Sequence, residues 1–360
     1  MNKKNSYLQI ILTNISLLLI LVLLVEVFAG SWLASDGFSY HMRGKRLQKT
    51  HFKAQINGEY KSWNYRRDYY GFREEFEHDN LYDLSKVKII FSGGSTGDEN
   101  LLPYNETIVG NLNSSFKKNN LNVKIFNGSL SGKSLQGSIR DFDVWFDKLK
   151  NLDPKVLILY VGLNDIFIIP QQPWSDHDGD ETFFLKIYGQ INQKSYFFNI
   201  LRKFKNTYFV NEDTWSHRNN DKNVKKQLLK ANFLSYEDAK KIYNTPSNEE
   251  QKIIDIFNEK LILLDSLAKK KKIVPIFITQ VNFEGNSDKT LFFLNQETKK
   301  FTNKYNHPII KLDELIDENL ITGLFTDTVH TNKEGSSYLA NLIYPELKNI
   351  LIEYNFYKKK

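Results

Sequence analysis

Ser95 lies in Ser92-Gly93-Gly94-Ser95-Thr96-Gly97, directly after the apolar run Val87-Lys88-Ile89-Ile90-Phe91. The glycines permit a sharp turn at a strand end and let a ligand approach the backbone. A serine boxed in by small residues there can offer its hydroxyl and its own N–H to one point, as acyl transfer requires. The same residues also fit an ordinary strand–turn or a phosphate-binding loop. Three more stretches carry polar groups of interest: residues 127–134, Gly162-Leu163-Asn164-Asp165, and Asp327-Thr328-Val329-His330. Taken singly, Asp-x-x-His reads as a surface pair or a helix N-cap, Asn-Asp as a turn, and Gly132 as a hinge. Taken together, at the ends of successive apolar runs, they are candidates for one site.

The elements that must position them follow from hydrophobic period. Residues 123–126, 156–161, 273–279 and 309–312 read as strands, and the run at 156–161 suits a strand buried on both faces. Between them, 112–118, 139–149, 251–270 and 333–351 have helical spacing. Strands that end in small polar turns and alternate with helices predict a doubly wound parallel sheet, which holds its chemistry at the carboxyl ends of its strands. Residues 8–28 are apolar over about the length a bilayer core needs, roughly 20 residues. The expected layout is an anchor at 1–30, a juxtamembrane segment at 31–85 packing on the main domain, and a catalytic domain at 86–355. A helical cap is expected as an insertion at about 171–250.

Composition narrows the function classes. With 41% hydrophobic and 25% charged residues in 360, the chain can bury a large core. Its net charge of +7 comes from scattered lysines with short runs at 269–272 and 358–360, which read as solvated surface rather than a nucleic-acid footprint. There is no cysteine, so thiol nucleophiles, disulfides and thiolate metal sites are excluded. Gly128-Ser129-Leu130-Ser131-Gly132-Lys133-Ser134 nearly spells a phosphate-binding loop, but Asn127 stands where the first glycine belongs. The acidic run 176–181 has its glycine too early for a calcium loop, and His177, His217 and His307 lack partners at ligand spacing. No cofactor or metal is expected.

Gly93-Gly94-Ser95, the stretch from Asn127 to Gly132, Gly162-Leu163-Asn164-Asp165 and Asp327-Thr328-Val329-His330 occur in the order of the four blocks that define SGNH hydrolases of the GDSL type. The chain resembles that family over roughly 87–351, and the anchor followed by Gly71-Phe72-Arg73 looks like its membrane-tethered bacterial members. One departure is plain, since the family's Gly-Asp-Ser is here Gly93-Gly94-Ser95. The resemblance implies a three-layer α/β/α flavodoxin-like sheet, with Ser95 as nucleophile, His330 as general base and Asp327 as the acid that orients it. It further implies an oxyanion hole made of Ser95 N–H, Gly132 N–H and the Asn164 side-chain amide.

These roles suit the chemistry. An imidazole with a pKa near ~6.5 can take and return a proton near neutrality, and a carboxylate three residues away can hold its tautomer. The expectation is a serine esterase or deacetylase acting through an acyl-serine on an O-acylated envelope or secreted glycan. An O-acyltransferase would use the same triad with a sugar hydroxyl as acceptor, and an inactive glycan-binding or assembly protein is a reading of another class. The incomplete cleavage pattern Val27-Phe28-Ala29-Gly30 favours an uncleaved anchor. Lys3 and Lys4 favour a cytoplasmic amino terminus with the catalytic part on the periplasmic or extracellular side, although Arg43, Lys45, Arg46 and Lys49 pull the other way.

Overall fold

A computed structural model of the chain describes residues 3–30, 32, 50–56, 59–68, 70–73, 82–171, 191, 195–198, 200–201, 233–317 and 323–356. Most of the expected cap, with the acidic run 176–181, His177 and His217, lies outside the described residues. The chain divides into two units, one of residues 1–44 with 180–211, the other of 45–179 with 212–360. The first contains helix α1 (Lys3–Ala29), whose span Gln9–Ala29 has a mean hydropathy of 2.7 and is unburied. It is long and apolar enough to cross a membrane.

The second unit opens with an antiparallel hairpin, β1 (Thr50–Ile56) and β2 (Glu59–Tyr65), in which Ile56 pairs with Glu59. Asn57-Gly58 between the strands is a strong two-residue hairpin signal, which a search for long apolar runs passes over. There follow β3 (Ile89–Gly93), the short helix α2 (Ser95–Asp98), α3 (Ile108–Lys118), β4 (Ile125–Asn127), α4 (Leu135–Val144), β5 (Val156–Tyr160) and α5 (Leu163–Ile168). Next come α6 (Tyr236–Ile242), inside the range expected for the cap, then α7 (Asn248–Lys270), β6 (Val274–Ile278), α8 (Lys289–Tyr305), β7 (Ile309–Ile310), α9 (Leu312–Leu315) and α10 (Lys333–Glu353).

The sheet order is β4-β3-β5-β6-β7, all parallel. This is the flavodoxin-like order, and it places a topological switch point between β3 and β5, where open sheets form their crevice. Alternation along the strands explains the layers. Ile89, Phe91, Val156, Ile158, Ile276 and Ile278 share one apolar core with α3 and α10. Ile90, Leu157, Leu159 and Phe277 are equally buried and, by the period of two, face the other layer. Each such side chain contributes about 1.5–3 kcal/mol on burial.

Helix ends are specified locally. Thr107 caps α3 by accepting from Gly110 N–H at 3.0 Å, and Ser247 and Glu250 form a reciprocal capping box on α7. Lys269 and Lys270, part of a run read as solvated surface, end α7, where cations oppose the helix dipole favourably. Sequence periodicity started α3 and α7 later than the caps do, because the first helical turn is set by capping rather than by apolar spacing.

Candidate active site

Ser95 opens α2 immediately after β3 and is partly exposed. The two glycines before it are required by close approach. A Cβ at Gly93 would lie 2.8 Å from the Tyr160 carbonyl, and one at Gly94 would collide with the Asn164 amide nitrogen and lie 2.8 Å from the Lys133 carbonyl. The space beside Gly94 is thus taken by the Asn164 side chain. Asn164 donates to the Lys133 carbonyl at 2.9 Å through one of its two amide hydrogens. Gly132, next to Lys133, is exposed at a turn with φ +80°. Asp165 fixes the same junction from behind, its carboxylate accepting from Leu135 N–H at 3.1 Å.

Gln280, just beyond β6, was not singled out by sequence. Its side-chain Oε1 accepts from Leu163 N–H at 2.6 Å, and its side-chain Nε2 donates to Thr96 Oγ1 at 3.0 Å. It therefore ties the Asn164 turn to the helix that carries Ser95. A buried glutamine is invisible to motif reading, because its partners lie 117 and 184 residues away.

Asp327 and His330 form one compact unit. The carboxylate's Oδ2 is 2.7 Å from His330 Nδ1, while Oδ1 accepts from the N–H groups of Val329 at 2.9 Å and His330 at 2.7 Å. A carboxylate can only accept, so Nδ1 carries the proton and Nε2 is left as the basic nitrogen. Burial pushes the Asp327 carboxyl upward, but the His330 hydrogen bond and charge and the two N–H groups outweigh it and hold the acid below its usual range. Thr326 closes the loop by donating N–H and hydroxyl to the His330 carbonyl.

Two buried carboxylates join the loops around Ser95. Asp98, at the end of α2, accepts from Tyr65, from Arg67 at 2.7 Å, and from the N–H and hydroxyl of Ser131, both at 3.2 Å. Arg73 donates to the carbonyls of Asp98 and Leu102, and its own N–H donates to the Asn127 carbonyl at 2.9 Å. Glu99, in left-handed backbone at φ +46°, accepts from Ile108 N–H at 2.6 Å and from the hydroxyls of Thr331 and Ser336. The α2 helix is thereby bound on one side to the Gly132 loop and on the other to the residue following His330.

Glu99 makes a prediction about pH. Burial pushes its carboxyl from the ordinary 4.5 up to about 7, against the pull of Ser336, the Ile108 N–H, the Arg73 charge and Thr331. The folded protein then holds a proton that the unfolded chain releases, so stability declines as pH rises from 4.5 to about 7, by on the order of 3 kcal/mol. His307, depressed by burial, works in the opposite sense over part of that window. The readout is therefore the difference between Glu99→Gln and the parent in denaturant titrations. The variant is expected to lack the decline; parallel pH curves would show that Glu99 does not titrate there.

Of the residues expected from sequence, Ser95 lies in the first turn of α2, Asn164 in the first turn of α5 and Gly132 on the turn after β4, joined by the Asn164–Lys133 and Ser131–Asp98 hydrogen bonds, and Asp327 meets His330. The Ser95 hydroxyl and the His330 imidazole are not hydrogen-bonded to each other; the loops that carry them are linked through Glu99 and Thr331. Lys133, the lysine of the near phosphate-binding loop, is buried against Asp141 at 2.9 Å, Ser92 and the Gly128 carbonyl, so it is spent on structure. Among the described residues no group of three histidines or carboxylates could hold a metal ion.

No protein-family model and no curated protein matches the chain. Solved structures do. A member of the lipolytic protein G-D-S-L family from Veillonella parvula is 15% identical, with 72% of this chain and 97% of that one covered at a TM-score of 0.41. A catalytic mutant of Axe2, an acetylxylan esterase from Geobacillus stearothermophilus, is 13% identical over 73% and 94% at 0.42. The psychrotrophic esterase EstA from Pseudoalteromonas is 12% identical over 74% and 99% at 0.39.

Proposed function

We propose that the protein is a serine ester hydrolase of the SGNH type. The reading is carried by the Asp327–His330 pair, which leaves Nε2 as the free base on a loop bound through Thr331 and Glu99 to the Ser95 helix. Ser95 Oγ attacks the ester carbonyl carbon while His330 Nε2 takes its proton. The carbonyl oxygen becomes an oxyanion facing the Ser95 and Gly132 N–H groups and the second hydrogen of the Asn164 amide. Each such donor is worth about 3 kcal/mol of barrier. His330 returns the proton to the departing alkoxide, leaving acyl-Ser95, and water then repeats the sequence to release the acid. The bond between hydroxyl and imidazole, absent here, is one that tightens once substrate is bound.

The substrate class we propose is an O-acylated envelope or secreted glycan. Its support is the helix α1, read as an anchor, with Lys3 and Lys4 as its first two residues and the catalytic unit following on the outer side. The test is covalent labelling of the full-length protein with a fluorophosphonate, which reacts with an activated serine. One adduct is expected, mapping to Ser95 by peptide mass spectrometry and lost in Ser95→Ala. An unlabelled parent protein, or an adduct that persists in the variant, would remove Ser95 from the nucleophile's role and leave a binding protein as the better account. Incubation with an acetylated glycan, following acetate release, then tests the substrate class.

A further inference from the structure

Glu26 lies inside α1, three residues before its last residue, Ala29. A carboxylate that close to hydrocarbon is costly unless donors surround it. Glu26 has four: Trp32 Nε1 at 2.9 Å, the Ser195 hydroxyl at 2.6 Å, and the N–H groups of Tyr196 at 3.1 Å and Phe197 at 3.2 Å. Ser195 in turn accepts from Phe198 N–H at 3.1 Å, so it caps a helical turn whose start is fixed on Glu26. Three of the four donors come from a stretch some 170 residues along the chain, in the same unit as α1.

This contact sets a depth. At 1.5 Å per residue, Glu26 lies about 4.5 Å along the axis from the helix end. The layer between hydrocarbon and water is about 5–7 Å thick on each side of a bilayer. A segment bound to Glu26 therefore falls within that layer if α1 spans the membrane. Its composition suits the place, since Tyr196, Phe197, Ile200 and Leu201, which are 38%, 39%, 45% and 63% exposed, bring four large apolar or aromatic side chains together on one short segment. The sequence continues Arg202-Lys203-Phe204-Lys205, a basic run complementary to anionic headgroups.

We propose that residues 195–201 form a second membrane contact, held by Glu26 in the interfacial layer with Tyr196, Phe197, Ile200 and Leu201 in lipid. The inference rests on α1 being a membrane anchor. The chain then passes three times between the membrane-bound unit and the catalytic one, after 44, before 180 and after 211.

The absence of cysteine makes the test clean, because one introduced thiol carries one spin label. Full-length Phe197→Cys and Leu201→Cys, labelled in vesicles of phosphatidylethanolamine and phosphatidylglycerol, are compared with labels at Leu19, Val27 and Ile262. Accessibility is read against oxygen, which partitions into lipid, and a nickel chelate, which stays in water. Labels at 197 and 201 are expected to match Val27, with the chelate excluded relative to Ile262. In the Glu26→Ala background they are expected to shift to the Ile262 ratio while Leu19 stays in hydrocarbon. Labels at 197 and 201 as wet as Ile262, with Leu19 in lipid, would overturn the second contact and leave the anchor standing. A Leu19 label in water would overturn both, and labels shielded from oxygen and chelate alike would show protein, not lipid, covering the segment. Retention of the Val27-like ratio in Glu26→Ala would overturn the role of Glu26.

Discussion

Asp327→Asn is expected to lower kcat for a p-nitrophenyl ester by about 10⁴-fold, with KM little changed and the fold intact by circular dichroism. That magnitude is the one measured for the equivalent change in a serine protease triad; the reason it should apply here lies in how Asp327 is held. One of its oxygens accepts two backbone N–H groups, from Val329 and His330. An asparagine must keep its single oxygen there, because turning the NH₂ toward two N–H groups would leave three donors facing one another. The NH₂ is then presented to His330 Nδ1, which can only accept it by losing its proton. The proton moves to Nε2, and Ser95 would face a donor where it needs a base. An activity loss of less than tenfold, or one that appears wholly in KM, would show that His330 is not the base. Because Asp327 is held below its usual range by His330 and the N–H groups, its contribution to stability is present above pH ~3.8 and is lost as pH falls through its folded value.

Removing the Asp98 carboxylate should cost the most stability. Asp98→Ala would leave the Arg67 guanidinium, whose side chain is fully buried, without its counter-charge and would strip acceptors from Tyr65 and Ser131. Breaking such a buried pair from one side typically costs about 3–5 kcal/mol, because the surviving charge stays desolvated. For a unit of this size that lowers the melting temperature by on the order of 10 °C. Arg67 would retain the Gly71 and Ser129 carbonyls and Tyr65, which take three of its five hydrogens but do not neutralise its charge. The double variant Arg67→Met with Asp98→Ala is therefore expected to recover much of the loss, since an apolar replacement of both partners is often close to neutral. Thermal unfolding of the full-length protein in detergent is the measurement. An Asp98→Ala variant within about 1 kcal/mol of the parent would mean water or rearrangement reaches Arg67, and an equally damaged double variant would mean the site is held by shape rather than charge.

The two carboxylates that follow Ser95 had no part in the reading of the motif. Asp98 and Glu99 are acidic residues after a small-residue turn, which by composition alone belong on a surface. Both are instead buried, and each bonds an element remote in sequence: Asp98 reaches back 31 residues to Arg67 and forward 33 to Ser131, and Glu99 reaches 232 and 237 residues forward to Thr331 and Ser336. Arg73, noted in sequence only as the end of Gly71-Phe72-Arg73, is buried as well, donating to Asp98 and Leu102.

What the amino-acid order determined by itself was everything governed by near neighbours. The apolar strand runs, the glycine turns at their ends, the hydrophobic helix at the start and the Asp327–His330 pair all depend on residues within one or two turns of each other. Spacing is enough to read them. Only the tertiary structure decided which strand ends face one another, that Gly94 is bare because Asn164 occupies its space, and that Gln280, Asp98 and Glu99 bind separate elements to one another. The physical reason is desolvation. Whether a charged or amide side chain is costly or stabilising depends on the partners that surround it once water is excluded, and those partners are chosen by the packing of the sheet and its helices, not by the residues beside it in the chain.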